Sequence, residues 1–246
     1  MGRSSVKNVA RGLANVKVVG LGGVGGHVAP ALVQFLSSLG VPCTLWLVDG
    51  DAYEERNRER MLFQEFGNKA VAKARELAQA CRGGVTVLPV SEYVTPRSAR
   101  RLIEEGDVVF LCVDNHATRK VVSDRCRRLN DVVLFSGGND GIEEGQEGTF
   151  GNVQVYIREG GHDITNPLTG FHPEIARPRD KRPDERGCAA SAQAGPQLLF
   201  TNIAVASAML NAFYAWRMGR REYEEVYFDI IAARTTPVRR KSPDLP

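Results

Sequence analysis

Short apolar runs alternate with helix-spaced segments through the first ~135 residues of this chain. The runs at 16–20, 44–48, 85–90, 108–113 and 132–135 are dominated by Val, Leu and Phe, as strands buried on both faces are. Between them, 25–39, 69–81, 96–104 and 118–129 carry the periodicity of helices packed on a sheet. Gly137-Gly138-Asn139-Asp140-Gly141 closes this half, and the alternation at 151–157 predicts an antiparallel strand. Polarity then takes over. The stretch 159–186 holds Pro167, Pro173, Pro178 and Pro183 with few apolar residues, which predicts a long exposed loop, partly disordered. An Ala- and Leu-rich helix at 195–218 and a strand at 226–231 precede a tail, 235–246, expected to be flexible.

Strand and helix alternating in this way predict an α/β fold: a Rossmann-like doubly wound sheet, mostly parallel, with antiparallel strands added at the C-terminal side. At 246 residues and 43% apolar content the chain can bury one good core. Residues 1–246 therefore read as a single domain with a mobile crossing segment at 158–187. The net charge of +3 does not argue for nucleic acid, and the basic clusters at 97–101, 125–128 and 234–241 read as solvated faces or frayed ends. No membrane partner is expected either. The first residues are polar rather than signal-like, and no uninterrupted apolar run approaches the ~18 residues of a bilayer span. The cysteines (Cys43, Cys81, Cys112, Cys126, Cys188) are scattered, without a Cys-x-x-Cys pair. They fit a reducing cytoplasm and offer neither a disulfide frame nor a zinc knuckle.

The candidate chemistry begins at Gly20-Leu21-Gly22-Gly23-Val24-Gly25-Gly26, between the first strand and the first helix. Such a turn lets backbone amides approach phosphate at a helix N-terminus, and it can equally serve to pack a helix closely on a sheet. Alone it suggests a nicotinamide dinucleotide. Asp114, carried by 108–113 to the carboxyl end of the sheet, changes that reading. A carboxylate across the cleft repels a pyrophosphate unless a divalent cation lies between them. Asp114 would hold that metal, or else cap the helix that follows.

Asp49 ends the second strand where an acidic side chain reaches ribose hydroxyls; a turn cap in Val48-Asp49-Gly50-Asp51 is the plainer use. The charged run Glu54-Glu55-Arg56-Asn57-Arg58-Glu59-Arg60 is of a kind usually solvated, but its place at the cleft mouth makes Asn57 and Arg60 phosphate candidates. Lys69, or Lys73 one turn later, offers a further cation. Cys188, near Arg182 and Arg186, is either an accessible nucleophile or an inert packing residue.

Taken in order, Gly20-x-Gly22-Gly23-x-Gly25, Val48-Asp49-x-Asp51, Asn57-x-x-Arg60, a downstream lysine and Asp114-Asn115-x-x-x-Arg119 resemble the ThiF/MoeB and ubiquitin-activating-enzyme superfamily of adenylyltransferases across residues 14–215. The resemblance implies that Gly22 and Gly23 lie against the nucleotide phosphates, that Asp49 binds ribose, and that Asn57 and Arg60 meet the triphosphate. It implies magnesium on Asp114, with Gly20, Gly25, Asp51 and Asn115 completing the nucleotide pocket. The family's Gly-x-Pro-Lys-Ala is one residue shorter here, Gly67-Asn68-Lys69-Ala70. The motif text thus points to Lys69 and the spacing from the arginine to Lys73. Cys188 keeps the family's eight-residue spacing to a helix-opening proline, Pro196, which implies an acyl acceptor. Arg11 stands where the family carries an arginine that reaches into the partner subunit, although its surroundings do not match the motif. The missing Cys-x-x-Cys pairs mean that no zinc is expected, and the chain looks most like divergent ThiF-type proteins of phage and plasmid operons.

The implied activity is adenylation of a carboxylate by ATP and Mg2+, giving acyl-AMP and pyrophosphate, with Arg60, Lys69 and the metal on Asp114 neutralising charge. The family implies the C-terminal glycine of a small ubiquitin-like or sulfur-carrier protein as the acid, transfer to Cys188 afterwards, and a homodimer. Three alternatives remain open: a small-molecule or nucleoside carboxylate as the acid, a nicotinamide-dependent dehydrogenase, and a non-catalytic nucleotide-binding scaffold.

Overall fold

The structure, a computed structural model, describes residues 13–143, 145–185 and 196–240. The five apolar runs pair as parallel strands: β1 (Asn15–Val19), β2 (Cys43–Val48), β3 (Val85–Val90), β4 (Val108–Leu111) and β5 (Val132–Asn139). Antiparallel strands β6 (Phe150–Glu159), β7 (Tyr223–Asp229) and β8 (Arg234–Arg239) extend the same sheet, whose order is β8-β7-β6-β5-β4-β1-β2-β3. Successive residues of the central strands enter opposite layers. Val18, Phe110 and Phe135 face the layer of α1 (Gly25–Leu39), α2 (Lys69–Ala78) and the long C-terminal helix, whereas Val19, Leu111 and Leu134 face α3 (Ala99–Leu102) and α4 (His116–Cys126). This is the doubly wound arrangement that the alternation predicts.

Several boundaries move, each for a local reason. The helix expected at 96–104 shrinks to Ala99–Leu102, with Ser98 Oγ accepting from Thr95 N and donating to Tyr93 O. Strand β5 runs on through Gly137 and Gly138. The C-terminal helix crosses it so closely that a Cβ at Gly137 would stand 2.3 Å from Met209 Sδ.

The stretch expected as a long exposed, partly disordered loop is instead built over much of its length. His162–Asp163 pairs with β6, and the short helices α5 (Leu168–Phe171) and α6 (Pro173–Ala176) follow. Leu168 and Ile175, 1% and 2% exposed, anchor it against Val122 and Leu134. Part of the expected flexible tail is likewise ordered, because Arg234–Arg239 forms β8. As an edge strand it tolerates Pro237 and needs no buried face.

The last helix, α7 (Leu199–Arg217), has the length and composition of a bilayer span, 19 residues at hydropathy 1.2. Here one face is core: Val205, Met209, Ala212 and Phe213 are buried, with the Phe213 ring edge-on to Phe35 and Phe110. Phe200 and Ile203 of the same helix are exposed.

Candidate functional site

Strand order reverses beside β1, which pairs with β2 on one side and β4 on the other. At such a reversal the connections leave on opposite sides of the sheet and open a crevice at the carboxyl ends of the strands. A cavity of about 720 Å³ lies there. Its lining includes Gly20, Gly22, Gly23, Asp49, Asp51, Arg60, Lys69, Asp114 and Asn115, so most of the residues singled out in the sequence converge on one space.

The wall on the β1–β2 side is fixed by the chain itself. Gly20 takes the left-handed conformation, φ 88°, and its N–H donates to Val48 O at 2.9 Å. Gly25 packs so tightly under this turn that a Cβ would lie 1.9 Å from Gly20 O; it builds the loop without lining the cavity. Asp49 accepts from Leu21 N at 2.6 Å and from Asp51 N at 2.8 Å, bracing both turns. Burial holds its carboxyl above the usual range, opposed by the charge of Lys69. The turn-cap use weighed for Asp49 is thus the one observed, and each oxygen keeps a lone pair facing a further donor. Lys69 Nζ sits 3.1 Å from Asp51 Oδ2, and Tyr93, which no sequence signal marked, donates its hydroxyl to Asp51 Oδ1 at 2.6 Å.

The two lysines differ in placement. Lys69 lines the cavity, whereas Lys73, 1% exposed, turns away to Glu76 Oε2 at 2.7 Å and Leu62 O at 3.2 Å. The structure does not bring Lys73 to the site. Asn57 departs from expectation in the same way: it is 4% exposed, off the cavity, and its Oδ1 accepts from Glu54 N at 2.9 Å in a capping box. Its work is to shape the turn that presents Arg60. Arg60 Nη1 donates to Gln197 Oε1 at 3.3 Å, and its Nε is buried with no hydrogen-bond partner among the described residues. Such an orphaned donor beside a cavity is what an anionic ligand would satisfy.

At β4 the cap weighed for Asp114 is supplied by other residues. Helix α4 is capped by Asn115 Oδ1, which accepts from Thr118 N at 2.8 Å, and by Asp180, whose oxygens accept from His116 N at 2.7 Å and Ala117 N at 2.9 Å. Asp114 is left exposed at the cavity, while Asn115 lines it with a side chain spent on the cap. Arg119 is buried and donates to Ser136 Oγ, Val113 O and Gly137 O, tying β4 to β5. Burial lowers its pKa, with Asp114 opposing. Among the described residues no three His, Cys, Asp or Glu side chains gather as a metal cage. A lone carboxylate still fits magnesium, which takes one or two carboxylates and fills its other positions with phosphate oxygens and water. Cys188 and Arg11 lie outside the described residues. Arg182 is engaged by Asp184 and Glu185.

The opposite wall escaped the sequence reading. Glu225, 0% exposed, accepts from His172 Nε2 and Asn152 Nδ2 on one oxygen and from the Tyr227 hydroxyl on the other, each at 2.7 Å. The second ring nitrogen of His172 meets Glu174 Oε1 at 2.6 Å. The Glu225 hydrogen bond, with help from Glu174, raises the His172 pKa against the opposing effect of burial. His172, Glu174, Asn152 and Tyr227 all line the cavity.

Fold and crevice together define the class, an α/β protein whose largest crevice among the described residues lies at the switch point of a doubly wound sheet. The chain belongs to the ThiF family, which matches residues 8–236. Two curated relatives are "Adenylyltransferase and sulfurtransferase MOCS3-2" of Zea mays, 32% identical over 60% of this chain, and "Adenylyltransferase and sulfurtransferase MOCS3" of Bos taurus, 38% identical over 46%. The matched segment spans only 28% and 24% of those proteins. Among solved structures, E. coli MccB with ATP superposes at a TM-score of 0.66 with 15% identity, covering 97% of this chain and 68% of that one. PaaA superposes at 0.65 with 16% identity, covering 96% and 66%. These likenesses establish the fold.

Proposed function

We propose that this chain is an ATP-dependent adenylyltransferase that joins a carboxylate to AMP and releases pyrophosphate. The observation that carries the reading is the convergence of Arg60, Lys69 and Asp114 with the glycine turn on one cavity. Hydride transfer has no use for two cations and a free carboxylate around a polyphosphate; nucleotidyl transfer needs them. A substrate carboxylate oxygen attacks the α-phosphorus, the bond to the bridging oxygen breaks, and pyrophosphate departs with the electron pair. The carboxylate is already ionised, so no general base is required. Catalysis rests on positioning and charge neutralisation. Asp49 would orient the ribose, Arg60 and Lys69 would hold the phosphates, and Asp114 would hold magnesium. When bound, the metal neutralises phosphate charge.

The names of the maize and bovine relatives, and the ATP in the MccB structure, support the nucleotide and the adenylyl chemistry. The acid we propose is the C-terminal glycine of a small ubiquitin-like or sulfur-carrier protein, with Cys188 as a following acyl acceptor. In this reading the chain acts in the cytoplasm as one adenylation domain, 1–246, and as a homodimer that covers Phe200 and Ile203 of α7.

ATP–pyrophosphate exchange dependent on an added acid tests the proposal. Exchange is expected with carrier proteins ending in Gly-Gly and is expected to vanish in Asp114→Asn. Exchange with small acids alone would move the substrate to that class. Tight NADH binding without ATP binding would overturn the reading.

A further inference from the structure

The wall formed by α6, β6 and β7 has a charge that its own hydrogen bonds do not balance. His172 lies between two carboxylates, Glu174 at 2.6 Å and Glu225 at 2.7 Å, so a single imidazolium serves two anions. Glu225 is buried and all of its partners are accounted for. The uncompensated negative charge therefore falls on Glu174, whose side chain is 47% exposed.

Neighbouring charges cancel it only in part, through the favourable interaction of Glu174 with His116 of α4 across the cavity. Asp180 sits on the N-terminal amides of α4, where the helix dipole stabilises it. Arg234 of β8 lines the same wall but stands directly across the β7–β8 ladder from Asp229. His116 faces the cavity from α4 with Nδ1 buried and lacking a hydrogen-bond partner among the described residues. Tyr227, 41% exposed, donates its proton to Glu225 and so offers its oxygen lone pairs outward. The segment from His172 to Asp180 lies over the start of α4, immediately beyond Asp114. The wall thus presents acceptors and negative charge beside the place where the acyl end of a substrate would meet the nucleotide.

We propose that Glu174 and Tyr227, held by His172 and Glu225, select an acid that carries a cation, an amine or guanidinium, close to the carboxylate being activated. The inference rests on the reading that this cavity takes a substrate carboxylate, and it adds the chemistry of the neighbouring group. Glu174 and Tyr227 would touch the substrate. His172 and Glu225 are positioning residues that act through them.

The test is a calorimetric titration of the full chain, saturated with α,β-methylene-ATP so that adenylation is blocked, with the peptides Lys-Gly-Gly and Glu-Gly-Gly, both N-acetylated so that the side chain alone carries the charge that differs. Lys-Gly-Gly is expected to bind at least about fivefold more tightly, the gap between attraction and repulsion at a partly exposed charge. Glu174→Gln, on the surface and tolerant of change, is expected to reduce that ratio to below about twofold while leaving binding of the nucleotide analogue intact. Tyr227→Phe should weaken Lys-Gly-Gly and leave Glu-Gly-Gly unchanged. Equal binding of the two peptides, a preference for Glu-Gly-Gly, binding of neither, or a preference that survives Glu174→Gln would each overturn the proposal. Peptide selectivity without pyrophosphate exchange would uphold this inference and sink the adenylation reading, so the two fail separately.

Discussion

The two walls of the cavity are made differently. On the β1–β2 side, Gly20, Asp49, Asp51 and Lys69 are set by turns between adjacent elements, and their contacts are largely to backbone, such as Asp49 with the amides of Leu21 and Asp51. On the α6–β7 side, His172, Asn152, Glu225 and Tyr227 come from separated stretches and hold each other side chain to side chain. Phosphate is a fixed shape that backbone amides and cations grip through turn geometry, and turn geometry leaves a spacing in the sequence. A wall that reads the variable part of a substrate, as proposed for this one, needs no fixed spacing and leaves none.

The largest expected effect lies where the walls meet. Asp114→Asn removes the exposed carboxylate while leaving the α4 cap, which Asn115 and Asp180 supply, in place. Acid-dependent pyrophosphate exchange should fall by about 10²–10³-fold with the melting temperature unchanged. An equal loss of stability would mean that Asp114 is a structural cap after all. It would also dissolve the division of labour drawn between the walls.

A smaller effect separates the lysines within the first wall. Lys69→Met should raise the KM for ATP by roughly 10–30-fold, the cost of one charge-assisted phosphate contact. Lys73→Met should leave that KM alone and lower stability by about 1–3 kcal/mol, because Glu76 and the Leu62 carbonyl lose a buried partner. Steady-state kinetics beside thermal unfolding of both variants gives the answer. A reversed pattern would restore Lys73 as the phosphate ligand.

Why one wall was legible and the other was not follows from particular residues. The central strands announce themselves because both of their faces are buried, as Val108 to Leu111 show. The glycine turn, Asp49 and Asp114 follow from where those strands end. The stretch 159–186 read as loop because polar residues and prolines dominate it; of the polar ones, His172, Glu174 and Asp180 line the cavity. The apolar signal it does carry, Leu168 and Ile175, is broken by Gly170 and Pro173. Strand β8 was missed because backbone pairing to β7, rather than a buried face, orders it. Asn57 lay in a charged run whose tertiary use could not be read from charge, and there a capping bond to Glu54 decided its role. Glu225 differs from a solvated strand residue only through partners 53 and 73 positions away, His172 and Asn152.

The smallest effect compares the walls through their histidines. His27, in α1 behind the first wall and beside Arg60, has its pKa lowered from 6.5, chiefly by burial, and its Nε2 is buried without a hydrogen-bond partner among the described residues. His172, on the second, has its pKa raised from the same value, chiefly by Glu225. The linkage signs are opposite. For His172 the folded state binds the proton more tightly, so its stabilising contribution is complete below the unfolded value near 6.5 and fades as pH rises through the elevated folded value. For His27 the folded state resists the proton, so stability is lost as pH falls from near 6.5 toward the depressed folded value. Denaturant midpoints followed across this range should therefore lose their alkaline-side decline in His172→Gln and their acid-side decline in His27→Gln. If His172→Gln instead altered only the acid limb, the imidazolium would not be shared between Glu174 and Glu225, and the negative charge assigned to the second wall would have no origin.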